Sequence, residues 1–432
     1  MASASGLIEI SEVAHEPPGG LVAGAELNLP AQGDSLPTYA IDLRGWAVGN
    51  EARLTGVELR SEGTPVGAAP LDVERPHMAE RYGVEPRIGF RALLNGLLLP
   101  PEFDLGVTAV TESGERAAIA VVRGRRGELP GPGDLALQPL IVTTLGRTGS
   151  MLLLRMLEAH PELLVIRPHR YEQRVAGYWT EVLLALTEPS GYMRQLAPAG
   201  SLDRVQWWLG DEGPTPGFDP QHDLHRWLGS DAVVALADVC RGRIDALYAE
   251  AAFERNGRPR WFAEKHTLRS AALTAELYPD SREVLLVRDF RDMVASILAF
   301  NRKRGVRGFG EGAAEDPVDY VRRLAEWADG MVRRLERRGS RVQVLRYEEL
   351  VRDPRTALEG LLRHLGVDAA AGTVATMVDA LAEKMPALAR HTTSPDAESS
   401  IGRWRTDLDE QLEQACEASF GRALEAFGYE AA

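Results

Sequence analysis

The chain has 432 residues, and its 49 Lys and Arg face 63 Asp and Glu, so the formal net charge at pH 7 is -14. General attraction to nucleic acid or anionic lipid needs a basic surface, so this composition argues against both kinds of partner. Any anion that the protein binds must be held by a local cluster of Arg and Lys.

The two cysteines, Cys240 and Cys416, are far apart and lack the ligand spacing of a zinc site. We therefore expect buried thiols, no disulfide and no bound metal. The first residues do not form a basic stretch followed by an apolar one, and no apolar run reaches the roughly 18 residues of a membrane helix. The expected location is the cytoplasm.

Short runs that alternate apolar and polar residues occupy positions 7–125, with Gly, Pro, Asn and Asp between them. Examples are Leu7–Ile10, Ala40–Leu43 and Ala117–Val122. This pattern predicts a β-sandwich-like accessory domain. A Gly- and Pro-rich linker at 124–133 ends it, so we predict a β-rich domain at 1–130 and a second domain at 131–432.

Apolar strand-like runs alternate with helical patterns in the second domain. This alternation predicts an α/β fold, a parallel sheet flanked by helices. The predicted strands are 139–144, 283–287 and 342–346, and the predicted helices start near 149 and cover 232–254, 291–303, 317–338 and 354–365.

The first of these strands leads into a Gly-bearing loop that opens a helix. The loop consists of Gly146, Arg147, Thr148, Gly149 and Ser150. Its backbone N–H groups and the helix dipole suit phosphate, while Arg147 adds charge and the hydroxyls add donors. A capped structural turn is the alternative reading. The Walker A spacing and its Lys are missing, which disfavours a nucleotide kinase.

A second buried strand ends at Arg288 and is followed by a helix that Asp289 can cap. Arg288 and Ser296, one at the carboxyl end of the strand and one in the helix, can then face a single bound anion. Ligands of open α/β sheets bind at this edge.

Together the two segments resemble the PAPS-dependent sulfotransferases, which have a P-loop-like fold and use 3'-phosphoadenosine 5'-phosphosulfate (PAPS) as donor. The resemblance covers residues 138–430. It implies that the loop from Gly146 to Ser150 holds the 5'-phosphosulfate, with Arg147 steadying the leaving group, and that Arg288 and Ser296 hold the 3'-phosphate. Met151 stands where the family usually has a second hydroxyl, so only its backbone N–H could contribute.

Later segments extend the resemblance, which includes some similarity to tyrosylprotein-type members. Tyr347 matches a tyrosine that contacts the nucleotide, and the segment with Ser400, Gly402, Arg403 and Arg405 is similar to a late loop that closes over PAPS. The family implies no metal.

Transfer to a hydroxyl also needs a general base. The resemblance offers Glu172, soon after the first helix, and His266 after Lys265, with His169 a third choice. A surface carboxylate and a structural histidine are the alternatives.

An acceptor pocket could be walled by aromatic and imidazole side chains, although such residues are more often core groups. They are Tyr178, Trp179, Trp207, Trp208, His222, His225 and Trp227. The acceptor implied is a small molecule or carbohydrate, sulfated on a hydroxyl or an amine. The other functions left open are a nucleotide-binding protein of the same fold without turnover and a kinase-like phosphotransferase.

Overall fold

The structure is a computed structural model that describes residues 7–131, 135, 137–166, 174–188, 231–255, 258–314, 316–382 and 392–430. The chain forms two compact units. One comprises Met1–Pro130 with Thr180–Cys240, and the other comprises Gly131–Trp179 with Arg241–Ala432.

The first unit contains two antiparallel sheets. One has the strand order β3-β1-β10-β9-β5-β6 and the other has the order β2-β4-β8-β7. The strands are β1 (Ile8–His15), β2 (Val22–Leu29), β3 (Ser35–Leu36), β4 (Ala40–Gly49), β5 (Leu54–Ser61), β6 (Thr64–Pro70), β7 (Val73–Glu74), β8 (Arg87–Asn95), β9 (Glu102–Thr111) and β10 (Arg116–Arg126), with helix α1 (Pro76–Tyr82) before β8.

One hydrophobic core joins the two sheets. Ile8 and Val107 of the first sheet belong to the same buried cluster as Ile41 and Phe90 of the second. Because successive side chains of a strand point to opposite faces, each sheet contributes alternate residues to this core. The predicted sandwich-like domain is therefore present.

The second unit is built on a five-stranded sheet in which all neighbouring strands are parallel. Its strand order is β12-β13-β11-β14-β15. These strands are β11 (Gln138–Thr144), β12 (Leu163–Leu164), β13 (Trp261–His266), β14 (Arg282–Val287) and β15 (Val342–Arg346).

Helices cover this sheet on both sides. Along β14, Val284 and Leu286 enter one buried cluster, whereas Leu285 and Val287 enter another. A strand that is apolar on both faces is typical of a parallel sheet between two helical layers, so the predicted fold class is confirmed. The helices are α2 (Ser150–Glu158), α3 (Val175–Leu186), α4 (Ala232–Phe253), α5 (Leu268–Leu277), α6 (Phe290–Arg304), α7 (Pro317–Arg338), α8 (Tyr347–Arg352), α9 (Pro354–Leu365), α10 (Ala371–Asp379), α11 (Trp404–Asp407) and α12 (Glu410–Ala426).

The parallel arrangement brings four strand ends to one edge. The strands β11, β13, β14 and β15 end at Thr144, His266, Val287 and Arg346. The predicted segments at Gly146, His266, Arg288 and Tyr347 follow or include these ends, which is where open α/β sheets bind ligands.

Among the described residues, no helix has the length and apolar character needed to cross a bilayer. The same part of the chain contains no cluster of three or more potential metal-ligating His, Cys, Asp or Glu side chains. Cys240 and Cys416 are both buried as free thiols.

Candidate functional site

The loop after β11 depends on two glycines. Gly146 and Gly149 have φ angles of 61° and 83°, a region that L side chains rarely adopt. A Cβ atom on Gly149 would also lie 2.5 Å from Cδ2 of Tyr347. Glycine is therefore required there both for the turn and for the close approach of the loop to the Tyr347 ring.

The hydroxyl groups of the loop point inward. Thr148 and Ser150 are both buried, and Oγ1 of Thr148 has no hydrogen-bond partner among the described residues. Ser150 begins α2, where backbone N–H groups are unsatisfied and the dipole favours an anion. The Met151 side chain instead packs on the core beneath. The Thr148 hydroxyl and the N–H groups at the start of α2 are therefore available to bind a ligand.

Arg147 lies beside the residues predicted from the second strand. Its Nε donates to Oγ of Ser296 over 3.1 Å, and its guanidinium stacks 4.5 Å from the centre of the Phe300 ring. Nη1 of Arg288 donates to the Arg147 carbonyl at 3.4 Å. The structure therefore brings together Arg147, Arg288 and Ser296, which are far apart in sequence.

Arg288 is almost fully buried, with 4% of its surface exposed. It lies 4.8 Å from the centre of the Tyr347 ring, and its Nη2 donates to the Ser400 carbonyl. Its Nε is buried and lacks a hydrogen-bond partner among the described residues. A buried donor of this kind is costly unless a further acceptor reaches it.

Positive charge is concentrated at this point. The pKa of Arg147 is lowered to about 10, first by burial and then by the charges of Arg288 and Arg403. Mutual repulsion between guanidinium groups is relieved when an anion binds among them. The geometry and the charge both suit a ligand with several negative charges.

The late loop is attached to α6 by a buried carboxylate. Asp292 is 1% exposed, and its Oδ2 and Oδ1 accept the N–H groups of Gly402 at 2.7 Å and Trp404 at 2.9 Å. Oγ of Ser400 lies 3.0 Å from the Tyr347 hydroxyl. The predicted residues Ser400, Gly402 and Tyr347 are thus held in one place.

The two arginines of this loop differ in their surroundings. Arg403 donates to Oγ1 of Thr393 at 2.9 Å, and that hydroxyl lies 3.4 Å from Oγ of Ser296. Arg403 also pairs with Asp407. Arg405 is exposed and stacks 4.3 Å from the centre of the Trp404 ring. Arg403 is therefore the one linked to the Arg147 cluster.

His266 lies at the end of β13 and is 1% exposed. Burial, followed by the charges of Arg334 and Arg174, lowers its pKa to about 3. Its Nδ1 lies 3.3 Å from Oγ of Ser270. Such a weakly basic and enclosed imidazole is poorly suited to accept a proton near neutral pH, so its environment favours a structural role. Glu172 and His169 lie outside the described residues.

Of the seven residues predicted to wall an acceptor pocket, the structure describes Tyr178 and Trp179. Tyr178 is exposed on α3 and packs edge-on against Trp179, with ring centres 5.6 Å apart. The other five, Trp207, Trp208, His222, His225 and Trp227, lie outside the described residues.

Sequence reasoning did not identify Glu264 on β13. Its carboxylate accepts the N–H groups of Ala176 at 2.9 Å and Gly177 at 2.8 Å, and the hydroxyl of Tyr248 at 2.7 Å. It therefore fixes the first turn of α3, which begins three residues after Glu172. The apolar residues around Glu264 predict a strand, but a strand pattern does not reveal which distant residues its carboxylate contacts. Asp292 and Thr393 were missed for the same reason.

Removing the Asp292 carboxylate should loosen the late loop. In Asp292→Ala we expect the amides of Gly402 and Trp404 to exchange with deuterium at least about tenfold faster, because two hydrogen bonds worth about 1 kcal/mol or more each are lost. Asp292→Asn keeps one acceptor oxygen and should be intermediate. Asp368→Asn changes a carboxylate beside Glu162 and the start of β13, at the opposite edge of the sheet, and should leave exchange at these amides unaltered. Equal exchange in all four proteins would contradict the attachment.

Glu264 should make stability depend on pH. Burial, opposed by its backbone and Tyr248 hydrogen bonds, raises its pKa from 4.5 to about 7. Because the folded-state pKa is the higher one, the stabilising contribution is complete below pH 4.5 and is lost as the pH rises through 7. Relative to Glu264→Gln, the wild type should lose on the order of 3 kcal/mol of unfolding free energy over this interval. Urea unfolding of both proteins at several pH values measures their unfolding free energies. If these depend on pH in the same way for both proteins, the raised pKa of Glu264 is excluded.

Comparison with known proteins was informative at the level of family. The model of the Sulfotransferase family matches residues 139–371. No curated protein sequence matches the chain significantly.

Similar solved structures carry the same family name. The sulfotransferase domain of the Synechococcus PCC 7002 olefin synthase is 19% identical, with 70% of this chain and 99% of that chain covered and a TM-score of 0.39. Sulfotransferase STF9 from Mycobacterium avium is 17% identical, with coverage of 69% and 78% and a TM-score of 0.38. Mouse sulfotransferase SULT7A1, complexed with PAP, is 11% identical, with coverage of 66% and 84% and a TM-score of 0.36. The family match spans more than half of the 432 residues and contains both the loop after β11 and the Arg288 segment, and the chain therefore belongs to the sulfotransferase family.

Proposed function

We propose that the protein transfers a sulfuryl group from PAPS to a hydroxyl, or an amine, of a small-molecule, lipid or carbohydrate acceptor. The observation that carries this proposal is the convergence of Arg147, Ser296 and Arg288. The Arg147 Nε lies 3.1 Å from Oγ of Ser296, and the Arg288 Nη1 lies 3.4 Å from the Arg147 carbonyl.

The residues present fit a donor with phosphate groups at two positions. Gly146 to Ser150, with the Met151 N–H, would hold the 5'-phosphosulfate through backbone and hydroxyl donors. Arg288 and Ser296 would hold the 3'-phosphate, with Arg403 reaching Ser296 through Thr393. Two observations support the fit, namely the buried Thr148 hydroxyl and the buried Arg288 Nε, each without a partner among the described residues.

Tyr347 has a supporting position in this proposal. Its ring packs on the Gly149 backbone and faces the Arg288 guanidinium, while its hydroxyl reaches Ser400. It would therefore join the loop, the 3'-phosphate side and the late loop into one pocket. Arg405 would contribute by stacking on Trp404 and so keeping the late loop in place.

In the reaction, the acceptor oxygen forms a bond to sulfur as the bond between sulfur and the bridging phosphate oxygen breaks. Negative charge then builds on the leaving phosphate, and Arg147 would stabilise it. The acceptor proton must pass to a base. Because the environment of His266 disfavours it, we propose Glu172 for this step, with His266 and His169 as the alternatives.

Binding of the product nucleotide tests the donor site. Calorimetric titration with 3',5'-ADP should give micromolar or tighter affinity, and Arg147→Ala and Arg288→Ala should each weaken it at least tenfold, or about 1.4 kcal/mol, since each removes a charge-assisted contact. Arg363→Gln, at an exposed arginine on α9, is the control and should bind normally. Binding of ATP with Mg²⁺ but not of 3',5'-ADP would sink the proposal and favour a phosphotransferase.

The base is tested with whichever acceptor a screen of phenols, sugars and hydroxy lipids identifies. Glu172→Gln should lower kcat by roughly 10²- to 10⁴-fold because proton transfer is lost, while the affinity for 3',5'-ADP stays unchanged. His266→Asn should change stability more than kcat. A larger loss of kcat in His266→Asn than in Glu172→Gln would reverse the assignment. Tight nucleotide binding without transfer to any acceptor would favour a non-catalytic binding protein.

A further inference from the structure

The loop after α6 presents exposed apolar side chains close to Arg147. Val306 and Phe309 are 49% and 43% exposed. The Phe309 ring meets the Phe300 ring edge-on, with centres 5.8 Å apart, and Phe300 is the ring on which Arg147 stacks. An apolar surface thus begins one side chain away from the residue assigned to the leaving group.

Phe309 is held in an unfavourable backbone conformation. Its φ angle is 57°, in the left-handed region, where a bulky side chain is rare and costs conformational energy. Burial does not explain it, because the ring is substantially exposed. Strained residues that the surrounding structure maintains occur preferentially at ligand and active sites.

Buried polar side chains impose this conformation. The hydroxyl of Tyr320 donates to the Phe309 carbonyl at 3.0 Å, and Nδ2 of Asn301 donates to the Gly308 carbonyl at 3.0 Å. Both side chains are nearly inaccessible to solvent. The loop is therefore pre-organised, which reduces the entropy lost on binding a ligand.

Cationic residues are frequent in this segment, and Arg304 is the one that lies beside Phe300. Arg302, Lys303, Arg304 and Arg307 are all exposed in a chain of net charge -14. Among the described residues, Arg302 and Arg304 have no acidic partner, whereas Arg307 lies 3.9 Å from Glu311. The Arg304 guanidinium is 5.9 Å from the centre of the Phe300 ring. Compensation of the α6 dipole explains cations in its last turn, but not the exposed and strained Phe309 beside them.

We propose that this surface, formed by Phe300, Arg304, Val306 and Phe309, binds the acceptor, and that the acceptor has an apolar body with a negatively charged group. The apolar body would lie on Val306 and Phe309, and the anionic group would face Arg304. The inference rests on the proposed transfer function, because it is the donor site that makes the neighbouring surface the acceptor side.

A matched pair of ligands tests the charge preference. With 3',5'-ADP saturating, a fluorescent hydroxynaphthoate and the corresponding hydroxynaphthamide have the same ring and hydroxyl but differ in charge. The carboxylate should bind at least about tenfold more tightly than the amide at low ionic strength, and added salt should reduce this ratio. The variant Arg304→Gln should lower the ratio below about threefold, whereas Arg363→Gln should preserve it.

Phe309→Gly separates recognition from folding. Glycine adopts the left-handed φ without strain, so this substitution removes the ring without disturbing the backbone. If the ring served only the structure, the folded variant would bind ligands as tightly as the wild type. We expect both naphthalene ligands to bind at least about fivefold more weakly while 3',5'-ADP affinity is retained. Equal affinity for carboxylate and amide, or no binding of either while 3',5'-ADP binds, would overturn the acceptor inference alone. If the wild type does not bind 3',5'-ADP at all, the donor proposal is overturned instead.

Discussion

Repulsion among Arg147, Arg288 and Arg403 is the constraint around which the second unit is organised. Guanidinium groups in a partly buried site repel each other more strongly than in water, because the local dielectric is low. The pKa of Arg147 is lowered first by its burial and then by this repulsion. A fold that keeps such groups together in the absence of a ligand needs neutral and acidic partners for each of them.

Those partners come from α6, α8 and the late loop with the helix that follows it. Arg288 has carbonyl oxygens and the Tyr347 ring, Arg147 has the Ser296 hydroxyl and the Phe300 ring, and Arg403 has Asp407. Carbonyls and rings offset the charge only in part, so the cluster keeps its capacity to bind an anion. Asp292 is different, because it binds backbone N–H groups while lying 4.0 Å from Arg288. It thereby connects the charge of the site to the position of the late loop.

The sequence predicted the parts of this site that depend on local order. A strand followed by a Gly loop and a helix determines where Arg147 and Thr148 lie, and the observed β11 and α2 agree with that prediction. The capping of α6 by Asp289 was also predicted and is present. The helix at 317–338 and the strand at 342–346 were predicted with their observed bounds. Long periodic patterns and short buried runs are the most reliable signals in a single sequence.

Contacts between distant segments could not be predicted in this way. Asp292 and Trp404 are 112 positions apart, and no local pattern in the sequence connects them. The burial of His266, the Glu264 contacts with α3 and the stacking of Arg147 on Phe300 likewise depend on tertiary packing. A residue type and its neighbours in sequence do not specify whether an imidazole faces a cleft or a core, and this decides whether its pKa suits proton transfer.

The donor and acceptor sides of the proposed site differ in burial and in the kind of element that carries their residues. The donor side consists of buried cations and glycine backbone at the ends of parallel strands. The sheet fixes the positions of these groups. The proposed acceptor side uses exposed residues at the end of α6 and in the loop after it, where Phe309 is strained and Arg304 is solvated. Exchange of a few loop residues would therefore change acceptor charge or size without disturbing the sheet, as expected when specificity is carried by loops on a shared scaffold. Because salt screens exposed charges more than buried ones, the contribution of Arg304 to acceptor recognition should fall as ionic strength rises.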